Sequence, residues 1–386
     1  MPQVEFTKAN DKDFFDVVDF LDFVFSFAYQ PQDFEAWLPG LYSPENFMSG
    51  TNYIVKEDGK IVANVGSYPA VYHVCGERLK VAGITSVGVH PRARSKGYMR
   101  ALMDMALVDM RKDGTALSFL IGQRQRYEYF GYTPCGVRLK FYVRTVNIQH
   151  HFHKALHSDV MLKEIHAGNT AAFDALYHMY NAEKAHVERP RGRFMNTMAT
   201  WESKTIGIYK NDALIGYLSA AKDYGAIGEL SISDMSLLGE VMGVYLNQYR
   251  RHDVTIEAYP PETTLITYLS GLAESASAVH ANNFNVLDYP AVLNAFLKLK
   301  SSYTVLPDGA LTIRIRDIGN ITVTVAGNRP SVSITKKTPD AECSHLEAMR
   351  LFFSPVSAYA LGPLEGNAFA RSLLPIPLYV RKNDQS

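Results

Sequence analysis

The run Val87-Gly88-Val89-His90-Pro91-Arg92-Ala93-Arg94-Ser95-Lys96-Gly97-Tyr98-Met99-Arg100 has the residue types and spacing to hold an anion. It reads as an apolar strand stopped by a proline, a basic turn containing glycine, and the opening of a helix. That helix continues through Met110, with apolar side chains at Leu102, Met105, Ala106 and Leu107. The first turn of a helix offers backbone N–H groups with no internal partner, and the aligned peptide dipoles favour negative charge there. Gly97 lets a ligand approach the backbone closely, and Arg94, Lys96 and Arg100 add positive charge. This chemistry fits a pyrophosphate cradle. An exposed basic helix start in an ordinary α/β unit would use the same letters, so the spacing alone leaves both readings open.

The segment resembles motif A of the GNAT acetyltransferases, Arg/Gln-x-x-Gly-x-Gly/Ala, with Met99 where most members have Gly or Ala. The text from Arg94 to Leu102 is more similar to the enhanced intracellular survival branch, which tolerates a larger residue there. Downstream, the apolar run Leu117–Ile121 precedes Gly122-Gln123-Arg124-Gln125-Arg126-Tyr127-Glu128-Tyr129-Phe130-Gly131-Tyr132. In that branch a strand here gives way to a short helix carrying a tyrosine, followed by Phe-Gly-Tyr.

The resemblance implies an N-acetyltransferase that moves acetyl directly from acetyl-CoA to an amine. Arg94, Ser95, Lys96, Gly97, Tyr98, Met99 and Arg100 would hold the pyrophosphate. The backbone of Val87, Gly88 and Val89 would serve the pantetheine and the thioester carbonyl, with Gly122 and Gln123 as further cofactor contacts. Tyr127 is the implied proton donor, since a phenol of pKa about 10 can reprotonate a departing thiolate of about 8.5. Tyr129 and Phe130 read as aromatic core residues. The family's base is the α-carboxylate of the last residue, usually an aromatic. Here that residue is Ser386, without the aromatic anchor, and a frayed polar tail after Tyr379 is the competing reading. The implied acceptor is a small polycationic, aminoglycoside-like amine or a lysine. Trp37 lies where the branch builds a substrate wall; Asp22 and Glu35 are near it in sequence and read either as part of that wall or as a solvated helix face. The resemblance also implies a homo-oligomer, a hexamer in the family. An apolar-ligand-binding protein with a vestigial acetyltransferase domain is the second function reading.

Composition narrows the field. The chain has 39 Lys+Arg and 39 Asp+Glu with no long single-sign block, which removes any charge argument for nucleic-acid binding or a membrane-surface patch. Its 386 residues suggest two or three domains. No apolar run approaches the roughly 20 residues of a membrane span, and the N-terminal text has no signal-peptide pattern. Cys75, Cys135 and Cys343 are widely spaced and odd in number, as expected of reduced thiols in the cytoplasm. Cys135 has no His or charged neighbour in sequence and reads as a small buried hydrophobe. The cluster His150, His151, His153 and His157 lacks acidic or Cys partners at ligand spacing; it reads as a solvated linker, and no metal is expected.

Positioning these groups requires a particular order of elements. A strand at 4–6, a helix over 11–27, strands at 52–55 and 61–74 and a strand ending at Val89 precede the motif helix. Leu117–Ile121, the Tyr127 helix and a strand over 137–143 then complete a mixed sheet. A weaker echo follows: strands about Asn211-Asp212, a strand at 227–232, a helix over 236–249 and a strand at 255–258. Its loop Ser233–Gly239 has no cation, and Asp234 would repel phosphate, so no second cofactor is expected. From Phe284 onward a helix, three strands and an amphipathic helix capped at Ser344 resemble the sterol carrier protein fold. The expected fold class is α/β and α+β. Its parts are a catalytic GNAT unit at 1–152, a degenerate GNAT-like unit at 153–283 and a sterol carrier protein-like unit at 284–386.

Overall fold

The computed structural model describes residues 3–28, 31–151, 159–166 and 168–385. In chain order, β1 (Val4–Lys8) leads to α1 (Phe14–Ala28), the short helices α2 (Phe34–Trp37) and α3 (Pro39–Tyr42), then β2 (Asn52–Glu57), β3 (Lys60–Val74) and β4 (Glu77–Val89). After these come α4 (Tyr98–Lys112), β5 (Leu117–Leu120), α5 (Arg124–Tyr127) and β6 (Thr133–Cys135). The middle of the chain holds β7 (Arg138–Arg144), α6 (Thr145–His151), β8 (Val160–Glu164), α7 (Thr170–Asn181), β9 (Ala185–Val187) and α8 (Phe194–Met198). It continues with β10 (Lys204–Lys210), β11 (Ala213–Ala220), β12 (Ala226–Ile232), α9 (Leu238–Gln248), β13 (Asp253–Ala258), α10 (Thr263–Leu272) and β14 (Ser275–Val279). The remainder is β15 (Asn282–Val286), α11 (Tyr289–Ser301), β16 (Gly309–Ile315), β17 (Gly319–Ala326), β18 (Arg329–Thr335), β19 (Ala341–Cys343), α12 (His345–Phe353) and α13 (Ala368–Leu373). The fold is mixed α/β and α+β. No helix among the described residues is long and apolar enough to cross a membrane.

Local sequence explains the early elements. Asp58 and Gly59 both have positive φ, the requirement of a tight hairpin turn between β2 and β3. α4 buries Leu102, Met103, Ala106, Leu107 and Met110, one stripe at helical spacing, against the sheet. Each large side chain on that stripe contributes about 1.5–3 kcal/mol through burial. At the other end of the chain, Ser344 caps α12 in a reciprocal box with Glu347, as its position before an amphipathic run predicts.

Two strands depart from the expected layout. The first sheet runs β1-β2-β3-β4-β5-β15-β6, with β9 beside β3; the second runs β14-β7-β13-β12-β11-β10-β8. Thus β7, expected to finish the first sheet, lies antiparallel between β13 and β14 in the second. In return β15 lies antiparallel between β5 and β6. Phe141 and Val143 bury in the core of the second sheet, and Phe284 packs with Phe119 under the first. Alternation fixes which face a strand buries but not which sheet it joins. Divisions at 152/153 and 283/284 therefore cut the sequence without separating the sheets. The third sheet, β18-β17-β16-β19, shares one continuous core with the back of the first through Tyr72, Phe296, Leu311, Ile313 and Phe352. Of the histidine cluster, His150 and His151 end α6 rather than lying in a linker. His153 and His157 lie outside the described residues.

Candidate active site

Where β4 and β5 run parallel they pair only from Val81–Leu117 to Ile84–Leu120. Beyond Ile84, β4 keeps its bond to β3 on one side and loses β5 on the other. A bulge begins there: the β3–β4 register shifts between Asn64 and Gly66, and Ser86 takes a left-handed φ of 53°. The buried Asn64 amide pins it by donating to the Ser86 carbonyl at 2.9 Å. The backbone edge of Thr85–Val89 thus faces a cavity of about 680 Å³. Side chains of β4 alternate across it. Val87 and Val89 pack on the α4 side, whereas Gly88 approaches Val24 and Phe25 on the α1 side.

The cavity brings together Trp37, Val87, Gly88, Val89, Arg94, Met99, Gly122, Gln123 and Tyr127. Gly97, at φ 78°, caps α4 with no side chain, so the first-turn N–H groups are left for a ligand. Space around the Gly97 α-carbon is open. Ser95, Lys96, Gly97, Tyr98 and Arg100 stand at this helix start but do not line the cavity. Lys96 departs most from expectation. Its ammonium pairs with Glu57 at 2.6 Å, and the Tyr98 hydroxyl donates to the same carboxylate at 2.5 Å, so the local positive charge rests on Arg94 and Arg100.

Tyr127 is held from the far end of the chain. Its ring lies against Gly122 so closely that a β-carbon there would come within 2.2 Å of it, a packing demand that the expected cofactor role did not include. Asn283 on β15 donates to the Gly122 carbonyl at 3.0 Å, and Asn285 donates to that of Phe130 at 2.9 Å. His345 of α12 bonds the Gly131 carbonyl through Nε2 at 3.0 Å, while its Nδ1 faces the Tyr289 hydroxyl at 3.1 Å. Burial favours its neutral form, which suits that network. Burial likewise raises the Tyr127 phenol above its ordinary range, keeping it protonated and able to donate.

An aromatic wall closes the α1 side. Phe25 and Phe34 meet at 4.9 Å between centroids, Phe34 and Trp37 at 5.9 Å, and Trp37 and Trp201 at 5.6 Å. Trp201, Phe25, Phe34, Ser86 and Arg126 are lining residues that sequence reasoning missed. Trp201 comes from the middle of the chain, beyond any local motif; its only sequence signal is that the chain holds just two tryptophans. The expected acidic neighbours do not reach the cavity. Asp22 accepts from the Phe34 backbone at 2.8 Å, and Glu35 is exposed.

The chain's last described stretch is not frayed. Tyr379, Val380, Arg381, Asn383 and Gln385 are buried, and the Gln385 carbonyl accepts from Trp201 Nε1 at 2.9 Å. Arg189 joins Glu229 and Asp384, each at 2.6 Å, and Arg381 joins Glu262 at 2.8 Å and also Glu183. Ser386 itself lies outside the described residues. Cys135 is fully buried, and burial pushes its thiol up, away from the reactive thiolate.

The helix start in the second sheet is closed. The Asp234 carboxylate accepts from Ser236 N at 2.9 Å, and the Tyr268 hydroxyl accepts from Gly239 N at 3.1 Å. Those are donors that a phosphate would need.

Residues 5–135 match the family described as acetyltransferase (GNAT) domain. A comparison with curated proteins gives no match. Among solved structures, the chain is similar to a GCN5-related N-acetyltransferase from Anabaena variabilis, with TM-score 0.68, 17% identity and 97% of each chain covered. It is similar also to a GCN5-related N-acetyltransferase from Kribbella flavida, with TM-score 0.68, 16% identity, and 100% of this chain and 99% of that one covered. Eis1 from Mycobacterium abscessus superimposes with TM-score 0.62 at 15% identity, over 99% of this chain and 98% of that one. At these identities the likeness establishes the fold over essentially the whole chain, and the segment 5–135 that matches the family model carries the α4 start, Tyr127 and the cavity-lining residues other than Trp201.

Proposed function

We propose that this chain is an acetyl-CoA-dependent N-acetyltransferase working by direct transfer, with Tyr127 as general acid. One observation carries the reading: Met99 in the uncapped first turn of α4, Arg94 just before that helix and the buried Tyr127 line one cavity at the parting of β4 and β5. The residues present fit acetyl-CoA. Arg94 and the first-turn N–H groups of α4 would hold the pyrophosphate, and the open edge of Thr85–Val89 would hold the pantetheine. Acetyl-CoA supplies an acyl carbon activated as a thioester. As the amine nitrogen bonds to that carbon the C–S bond breaks; one proton leaves the amine, and one passes from Tyr127 to the sulfur. Alignment in a closed site contributes several kcal/mol, about 7 at the low end for well-oriented groups.

The proposed base is the carboxylate that Ser386 carries in this sequence. Support comes from the buried run to Gln385, which ends against Trp201 on the cavity wall. Adding two glycines after Ser386 moves that carboxylate, and turnover should then fall with an altered pH dependence. The resemblance further supports a sterol carrier protein-like third segment and a homo-oligomer, and the free thiols of Cys75, Cys135 and Cys343 support a cytoplasmic location; light scattering that finds a monomer would remove the homo-oligomer. The decisive experiment is thiol release from acetyl-CoA with a panel of primary amines. Amine-dependent turnover is expected, and tight binding without turnover on any amine defeats the proposal.

A further inference from the structure

Resting on that reading, we infer that His345 is a positioning residue for Tyr127, acting through the turn that joins that tyrosine to β6. Among the described residues the Tyr127 hydroxyl makes no hydrogen bond, so nothing aims the phenol from its own tip. Its aim comes from the ring's packing on Gly122 and from the backbone on either side of it. Proton donation needs the phenol within hydrogen-bond reach of the departing sulfur, and a misplacement of about 1 Å can cost 10²-fold. Whatever holds that backbone therefore bears on turnover.

The turn after Tyr127 bonds first to itself and then to residues from far downstream. Gly131 N donates to the Glu128 carbonyl at 3.1 Å, and Tyr132 N to the Tyr127 carbonyl at 3.2 Å. The carbonyls of Phe130 and Gly131 are taken by Asn285 on β15 and His345 on α12. Glu128 also meets Arg350, further along α12, at 3.5 Å.

His345 is itself fixed on every side. It is the first residue of α12, where the reciprocal box of Ser344 and Glu347 sets the helix start. Its ring stands edge-on to that of Tyr289, the first residue of α11, at 5.7 Å between centroids. Two acceptors face Nε2, the Gly131 carbonyl at 3.0 Å and Asn285 Oδ1 at 3.1 Å, so the hydrogen sits on that nitrogen. The Asn285 amide has only one orientation that fits, since its Nδ2 must donate to Phe130. Nδ1 is left to accept from the Tyr289 hydroxyl at 3.1 Å. One imidazole thus ties the starts of α11 and α12 to the Tyr127 turn, and its loss leaves the Gly131 carbonyl without a donor.

A double-mutant cycle separates positioning from plain stability. Thiol release from acetyl-CoA is followed with 2-phenylethylamine, spermidine and Nα-acetyl-lysine, and the fastest acceptor is kept for the variants. His345→Phe keeps a ring and removes both nitrogens; kcat should fall about 10–100-fold with KM for acetyl-CoA changed less than about twofold. His345→Gln returns a donor near the place of Nε2 and should recover most of the loss. In Tyr127→Phe, where no proton is left to aim, adding His345→Phe should cost less than about threefold. Should His345→Phe not fold, Tyr289→Phe loosens the imidazole alone; it should lower kcat about threefold in the wild-type background and leave Tyr127→Phe unchanged. Wild-type kcat in a folded His345→Phe chain, or losses that multiply in full in the double variant, overturn the inference and leave the acetyltransferase reading intact. A wild-type chain that turns over no amine removes that reading, and the inference with it.

Discussion

β4 parts from β5 after Ile84 and Leu120, and β12 parts from β13 after Ile227 and Ile256, so each large sheet opens a wedge beside the helix that follows. The first wedge is a cavity. The second is filled by the chain's own tail: Tyr379 stacks on Tyr259 just past β13 at 4.5 Å, and Lys382 lies 3.6 Å from where a β-carbon of Gly228 would stand on β12. Arg189 ties Asp384 of the tail to Glu229 of β12, and Arg381 reaches Glu262 beyond β13. The helix starts differ in the same sense, with α4 left uncapped by any side chain and the α9 region closed by Asp234 and Tyr268. One backbone plan therefore gives two possible cofactor clefts, and a handful of side chains decides which is open. The same tail that closes the second wedge delivers Gln385 to the wall of the first.

Paired tyrosine substitutions test this contrast most severely. Tyr127→Phe keeps the ring and removes the proton, so turnover should fall by about 10²–10⁴ with acetyl-CoA affinity nearly unchanged. Tyr268→Phe, at the closed start, should leave both values alone. If Tyr127→Phe turns over at the wild-type rate with chemistry limiting, the proposed mechanism is wrong at its centre.

The helix starts themselves give a smaller effect. Gly97→Val puts a branched side chain at φ 78° and into the space a pyrophosphate would use, and should weaken acetyl-CoA by about 10–100-fold, or roughly 1.4–2.7 kcal/mol. Titration of the wild-type chain should give one acetyl-CoA per chain. A stoichiometry of two would mean that the tail does not close the second wedge, and unaltered affinity in Gly97→Val would remove the cradle from α4.

The strand and helix start beside the open cleft were legible in the sequence, as was the cation-free loop Ser233–Gly239, but the tail that fills the second wedge was not. Arg94, Gly97 and Tyr127 belong to short local patterns, a strand–turn–helix and a strand–helix–turn, and local patterns survive in a linear text. Val87–Val89 could be placed because the same strand leads into the motif. Trp201, Asn283, Asn285 and His345 could not, since each reaches the Tyr127 region or its cavity from more than 70 positions away along the chain. Strand partnership was equally hidden. The residues of β7 and β15 show which face is apolar, but the exchange between sheets depends on competition among cores that periodicity does not record. The tail after Tyr379 misled for a related reason. Arg381, Asn383 and Asp384 look solvated in sequence because charged and polar residues are rarely buried without partners, and their partners, Glu183, Glu262, Met198, Ser219 and Arg189, lie more than 100 residues upstream.

The plug offers the finest test of the contrast, through its pH dependence. Burial raises the Glu183 carboxyl from its ordinary 4.5 to about 7, against the pull of Arg381 and with the added push of Glu262. The folded chain therefore keeps a proton that the unfolded chain has already released. Stability from this group is fully present below about 4.5 and is lost as pH rises through about 7. Glu183→Gln keeps the shape and removes the titration, so the variant should gain on the wild type by about 2 kcal/mol between pH 5 and pH 7.5. Urea midpoints of the two chains, measured in parallel across that range, give the difference free of every other titrating group they share. A difference that stays constant with pH would show that Glu183 ionises freely, and the second wedge would then be wetter than the buried tail implies.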